Sequence, residues 1–213
     1  MRNEFVRMMS SWTFAAVTSL STSLCVAAED EDLLAVGMIG VQHIGDQFNI
    51  SEFYVDGQWA GSAGREGGGG GNVCCVMLPM KWHPGLIVEI RWSIADWSNE
   101  KKVETKAGNY QSIVWKNYKA VVPIEKYESA EDLYVHFFAG GKVRAVSSIF
   151  GSEGNGHPIQ REDTKATVRA ITGHLLDSLF SAAELAEMKR KNSEEAPWKE
   201  SGNERNSRFH RAR

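Results

Sequence analysis

The sequence predicts a mainly β protein, an antiparallel β-sandwich or open barrel of seven to eight short strands with a C-terminal amphipathic helix. Three observations predict it. Runs rich in β-branched and aromatic residues recur from Leu33 to Val146, turn signals separate them, and a helical-period apolar stripe occurs only near the end of the chain. Strand and helix do not alternate, which argues against a doubly wound sheet. At 213 residues there is room for one domain with appendages.

The first expected strands are the run Leu33 to Val41 and the run Asn49 to Val55. Asp56-Gly57 follows and leads into Gln58-Trp59; both turn positions accept positive φ, so a tight hairpin is expected there. Asn72 to Leu78 is a strand ended by Pro79, and Leu86 to Trp92 alternates in its second half as a half-buried strand does. Gln111 to Trp115 and Tyr118 to Val122 are two more. Leu133 to Phe138, the turn Gly140-Gly141 and the return Lys142 to Val146 form a second hairpin. Between Thr164 and Asn192, the residues Val168, Ile171, Leu175, Leu176, Leu179, Phe180 and Leu185 recur at steps of three and four, the spacing of one helix face. Asp163 or Thr164 is placed to cap that helix, and Gly173 weakens it by about 1 kcal/mol relative to alanine. The expected organisation is a signal segment over 1–28, a β domain over 29–156, a helical segment over 157–191 and a disordered tail over 192–213.

The first 28 residues differ from the rest. Arg2 and Arg7 precede a charge-free stretch from Trp12 to Ala28, and Val26-Ala27-Ala28 stands before four acids. That is the layout of a secretory signal peptide cut after Ala28, and it places the mature protein in the periplasm. Cys25, preceded by Thr22-Ser23-Leu24, offers a second route, lipidation and anchoring at a membrane. The stretch is short and rich in Ser and Thr, so a membrane span is not expected. With 24 Lys and Arg against 27 Asp and Glu, and a net charge of −3, the chain has no global field for nucleic acid. Three Cys are too few for a disulfide scaffold.

Few residues carry chemistry on their own. Gly67, Gly68, Gly69, Gly70 and Gly71 lack the Lys-Ser or Lys-Thr and helix that a phosphate loop needs, so they read as a flexible loop or as one shaped for close approach of a partner backbone. Cys74 and Cys75 sit in an apolar run. They read as two packed thiols, as a disulfide between neighbours, or as an intermolecular pair, and no metal site is expected from them. His43, His83, His136, His157 and His174 lie in five separate contexts; His136 reads as a strand histidine and His157-Pro158 as a turn. No triad, metal cluster or carboxylate pair assembles, so no catalytic residue and no cofactor is expected, and the chain reads as a non-enzyme. The aromatics, Trp59 and Trp82 among them, read as core or as anchors for a protein partner.

Several segments stand together in a specific order: Phe53-Tyr54-Val55-Asp56-Gly57-Gln58-Trp59-Ala60-Gly61, the five glycines, Val73-Cys74-Cys75-Val76-Met77-Leu78-Pro79, Lys81-Trp82-His83-Pro84-Gly85, Val88 to Trp92, and Asp132-Leu133-Tyr134-Val135-His136-Phe137-Phe138. The composite resembles a proteobacterial family of unknown function, numbered three-three-zero-four. The likeness spans roughly residues 36–150. The stretch Asn99 to Gln111 and the C-terminal third depart from it. The resemblance implies short exported proteins, often lipoproteins, some of which accompany type VI secretion clusters that encode phospholipase effectors. It brings no catalytic residues. What it implies here is an immunity protein that binds and silences a lipase-type toxin, with an envelope-associated structural or binding lipoprotein as the alternative.

Overall fold

A computed structural model describes residues 32–65, 71–161, 163 and 165–194. The signal segment 1–28 with Cys25, the glycines from Gly67 to Gly70, and residues 195–213 of the expected tail lie outside the described residues.

Along the described chain the strands are β1 Leu33–Gln42, β2 Phe48–Val55, β3 Gln58–Ala63, β4 Val73–Pro79, β5 Ile87–Asp96, β6 Val114–Pro123, β7 Leu133–Phe138, β8 Lys142–Ser147, β9 Ile171–Thr172 and β10 His174–Leu176. A short helix α1, Lys102–Lys106, falls between β5 and β6, and α2, Ala182–Glu194, follows β10. They form two five-stranded sheets, ordered β4-β1-β7-β8-β9 and β10-β6-β5-β2-β3. The sheets are not closed into a barrel. Pairing is antiparallel throughout except between β1 and β7, which run parallel.

Alternation along each strand decides what lies between the sheets. From the first sheet Met38, Leu78, Leu133, Val135, Phe137, Val143 and Ala145 point inward; from the second come Ile50, Phe53, Val55, Val88, Ile90, Trp92 and Val122. Trp92 is fully buried, stacked on Tyr118 with ring centroids 5.4 Å apart. β7 is buried at every position. Its other face, Tyr134 and Phe138, joins Val41, Val146, Ile159 and Ala166 in a second, smaller core beneath residues 149–170.

The two hairpins expected at Asp56-Gly57 and Gly140-Gly141 are present. Asp56 has φ 47° and Gly57 φ 79°, joining Val55 to Gln58 by a two-residue turn. At Gly141, with φ 67°, a Cβ would overlap the Tyr118 ring, so the residue answers both a backbone and a packing demand.

The region expected to be one long helix is mostly something else. Ala166–Arg169 is a single 3-10 turn, Ile171–Thr172 adds to β8, and His174–Leu176 adds to β6. The chain crosses from the edge of one sheet to the edge of the other at Gly173, whose N–H donates to the Gly141 carbonyl at 2.8 Å. A Cβ at Gly173 would strike the Trp92 ring. The apolar stripe that suggested a helix is split: Val168 and Leu175 are exposed while Leu179 is buried. The true helix α2 begins after Ser181, whose hydroxyl accepts from the Glu184 N–H while Glu184 accepts from the Ser181 N–H, a reciprocal capping box. Its described side chains are exposed apart from a half-buried Met188, so α2 closes no core. Segment 166–176 closes that side of the sandwich instead, and strand structure runs past the expected boundary at 156. Among the described residues no helix is long and apolar enough to cross a membrane.

Candidate functional site

The two faces that look away from the main core hold the chemistry. On the second sheet, register aligns Trp59, Tyr54, Arg91, Lys119 and His174 in one row across β3, β2, β5, β6 and β10. Arg91 sits at its centre because Ile90 and Trp92 on either side point into the core. Its guanidinium is buried and every arm is used. Nε donates to Glu89 Oε1, Nη1 to the Leu179 carbonyl and Nη2 to Glu184 Oε1, each at 2.7 Å. Lys119 Nζ reaches the other Glu89 oxygen at 2.7 Å. Phe180 lies over the Arg91 guanidinium at 4.7 Å and meets Tyr54 edge-on.

This network fixes charge states. Hydrogen bonding to Arg91, with help from Ser181, holds the Glu184 carboxyl down at about 2. Glu89 is also lowered: burial would raise it, but Lys119 and Arg91 together outweigh that. Tyr54 is pushed up to about 12 by burial and by its hydrogen bond to Glu52. Beside Arg91 a groove of about 390 Å³ runs between Asp56, Gly57 and Glu89 on one side and Phe180, Glu184 and Glu187 on the other. The face around it is apolar and open. Trp59 is 55% exposed, Ile87 55%, Val121 52% and Trp115 49%.

The outer face of the first sheet is built differently. His136 on β7 is wholly buried, and its two ring nitrogens both have histidine partners: His43 Nε2 lies 2.8 Å from His136 Nδ1, and His157 Nε2 lies 2.9 Å from His136 Nε2. His157 Nδ1 donates to the Phe150 carbonyl at 2.8 Å. All three rings are lowered below the ordinary imidazole value. For His136 the fall is large and comes from burial first, then from His43, His157 and Arg144. Burial dominates for His43 and His157 as well. Arg144, the cross-strand neighbour of His136, is buried, with Nε on Glu125 at 2.6 Å and Nη1 on the Ala166 carbonyl at 2.7 Å.

The other residues singled out from sequence fall as follows. Trp59 is presented to solvent, but Trp82 is turned inward: it packs against the main core and its Nε1 donates to the Ile124 carbonyl at 2.8 Å. Of the five glycines only Gly71 is described; it is exposed, with φ 72°. The end of that loop is tied down, since Asn72 donates to Asp132 Oδ2 at 3.0 Å and Gly37 N–H donates to Asp132 Oδ1 at 3.1 Å. Cys74 and Cys75 are joined by a disulfide. They are not packed thiols: the pair sits at a register shift opposite Val36 and Gly37, a bulge on an edge strand, with Cys74 exposed and Cys75 half-exposed. Sequence reasoning missed the Arg91 cluster and the histidine chain altogether. The alternation around Arg91 and around His136, a charged or titratable residue between core residues on a strand, was the one available signal.

No characterised protein and no solved structure matches the chain. A family model does match residues 45–145, from just before β2 into β8, and it is that of the family which the order of motifs resembles, described as "Protein of unknown function (DUF3304)".

Proposed function

We propose that this chain is an exported, non-catalytic protein that binds and neutralises a toxin, a phospholipase effector of a type VI secretion system, through the outer face of its second sheet. The observation that carries the reading is the half-exposed set Trp59, Ile87, Trp115 and Val121 on one face, around the Arg91, Glu89 and Lys119 charges. Large aromatics beside fixed charges are what dominates binding at protein interfaces. Asp56, on the rim of the adjacent groove, suits a Lys or Arg side chain of the partner. A disulfide at an exposed strand edge suits an oxidising compartment such as the periplasm.

The test is to read the genes that flank this one and to assay a type VI phospholipase effector found there against the purified exported protein. Stoichiometric loss of lipase activity is expected, with Trp59→Ala weakening the complex at least tenfold, on the order of 1.4 kcal/mol. A phospholipase that stays fully active at micromolar concentrations of the protein overturns the reading.

A further inference from the structure

His43, His136 and His157 take no part in that binding face, and their geometry admits a definite count of hydrogens. The Phe150 carbonyl can only accept, so His157 Nδ1 carries a hydrogen. With His157 neutral, its Nε2 is a lone pair, and His136 Nε2 must donate to it. With His136 neutral, its Nδ1 accepts from His43 Nε2. Three hydrogens on three rings then satisfy every bridge. His43 Nδ1 is the remaining lone pair, and His43 is the partly exposed member of the chain. The Arg161 backbone carbonyl favours the charged form of that ring, because it can accept from His43 Nδ1 once a proton is bound there.

We propose that the three histidines form a proton relay that latches residues 149–161 onto the first sheet: a first proton is taken up at His43 and relayed to His157, and a second opens the latch. In the first step a proton from water bonds to His43 Nδ1. The Nε2–H of His43 breaks as its proton passes to His136 Nδ1, and the Nε2–H of His136 breaks as its proton passes to His157 Nε2. One proton has entered, one positive charge rests on His157, and both bridges persist with reversed direction. A second proton finds only nitrogens that already accept within a bridge. It would set two N–H groups against each other at less than 3 Å, so a bridge breaks.

His157 is the ring that leaves. His43 is held beside β7 by its own N–H on the Phe137 carbonyl at 2.8 Å, whereas His157 belongs to the covering segment, whose other buried contact is Ile159. Every charge facing the chain bears on this. Arg144 opposes a proton on His136 and is partly offset by Glu125; Arg161 opposes one on His43, and Glu153, paired with Arg161 at 3.3 Å, favours it. Tyr134 packs edge-on against His157 and tilted against His136, with its own phenol kept neutral by burial. His136 lies within the family match, and His43 and His157 lie outside it.

Nitrogen-15 NMR of the histidine side chains in the full chain, followed from pH 8 into acid, tests it. At pH 8 the expected tautomers are Nδ1–H on His157 and Nε2–H on His136 and His43. On acidification the three rings should share a single one-proton step, and amide protection in residues 149–161 should then fall before that of the second sheet. His43→Gln keeps a donor to His136 but has no proton to relay, so the shared step should vanish and His157 should stay neutral until the segment opens. An Nε2–H tautomer on His157, three independent titrations near the ordinary value, or a His157 titration unchanged in H43Q overturns the relay. If H43Q does not fold, the tautomers and step count of the unmodified protein decide alone.

Discussion

The two outer faces of the sandwich use one device to opposite ends. Each has a buried arginine on a strand, Arg144 or Arg91, with one or more carboxylates and one backbone carbonyl from the C-terminal third, Ala166 or Leu179. On the first sheet the segment so held also drives His157, Ile159 and Ala166 into the sheet and seals a second core. On the second sheet it brings only Leu179, Phe180 and a capping carboxylate, and the surrounding aromatics stay wet. The lesson is that an arginine clamp positions a chain, while burial of apolar pegs decides whether the face beneath is sealed or left for a partner.

Acid should separate the faces most strongly. The three histidines are lowered in the folded state, so their contribution is complete above about 6.5, the unfolded value, and is lost as pH falls below it. Each ring that stays neutral while its unfolded counterpart is charged adds a slope of about 1.4 kcal/mol per pH unit. Glu89 and Glu184 are lowered carboxylates, so the opposite clamp keeps its contribution down to about pH 4.5 and loses it toward pH 2. Chemical denaturation from pH 8 to 4 checks this; a flat profile between 7 and 5 would contradict the burial of the histidines.

Removing a peg should cost more than loosening a clamp. Ile159→Ala opens a cavity at a fully buried site and is expected to lose about 3 kcal/mol in urea unfolding. Arg91→Met removes two hydrogen bonds to partly exposed carboxylates and strands the buried Leu179 carbonyl, for a loss of about 2 kcal/mol. Phe180→Ala, at a half-buried position, should lose about 1 kcal/mol. A larger loss for Phe180→Ala than for Ile159→Ala would reverse the comparison between the sealed and the open face.

Strand runs and both hairpins were legible because each rests on a local rule: period-two alternation, and residues that accept positive φ. The C-terminal third was not. Val168, Ile171, Leu175 and Leu179 satisfy helical spacing, yet the segment is extended because Gly173 must pass over Trp92 and because open sheet edges beside β8 and β6 supply hydrogen-bond partners that no local pattern reports. Ser181 and Glu184 did carry the true helix start. The histidine chain escaped for a related reason: His43, His136 and His157 meet only when β1 and β7 lie side by side, and nothing in the local sequence announces that parallel pairing. Trp59 and Trp82 look alike in sequence; a carbonyl within reach of one indole, at Ile124, separates them.

That parallel pairing also orders events during synthesis. β2 and β3 can form their hairpin as soon as both exist, and β5 joins within a few dozen residues. β1, the first strand made, lies between β4 and β7 in the finished sheet, and the contact of Gly37 with Asp132 spans 95 residues. Until β7 is made, β1 has at most one of its two edges covered, with Leu33 and Leu34 already exposed at its start. Long-range closure of this kind is slow, and an unpaired strand edge is open to wrong partners while it lasts. The first of the described strands therefore waits through most of the β domain for its second neighbour, and that interval is when its open edge is most exposed to aggregation.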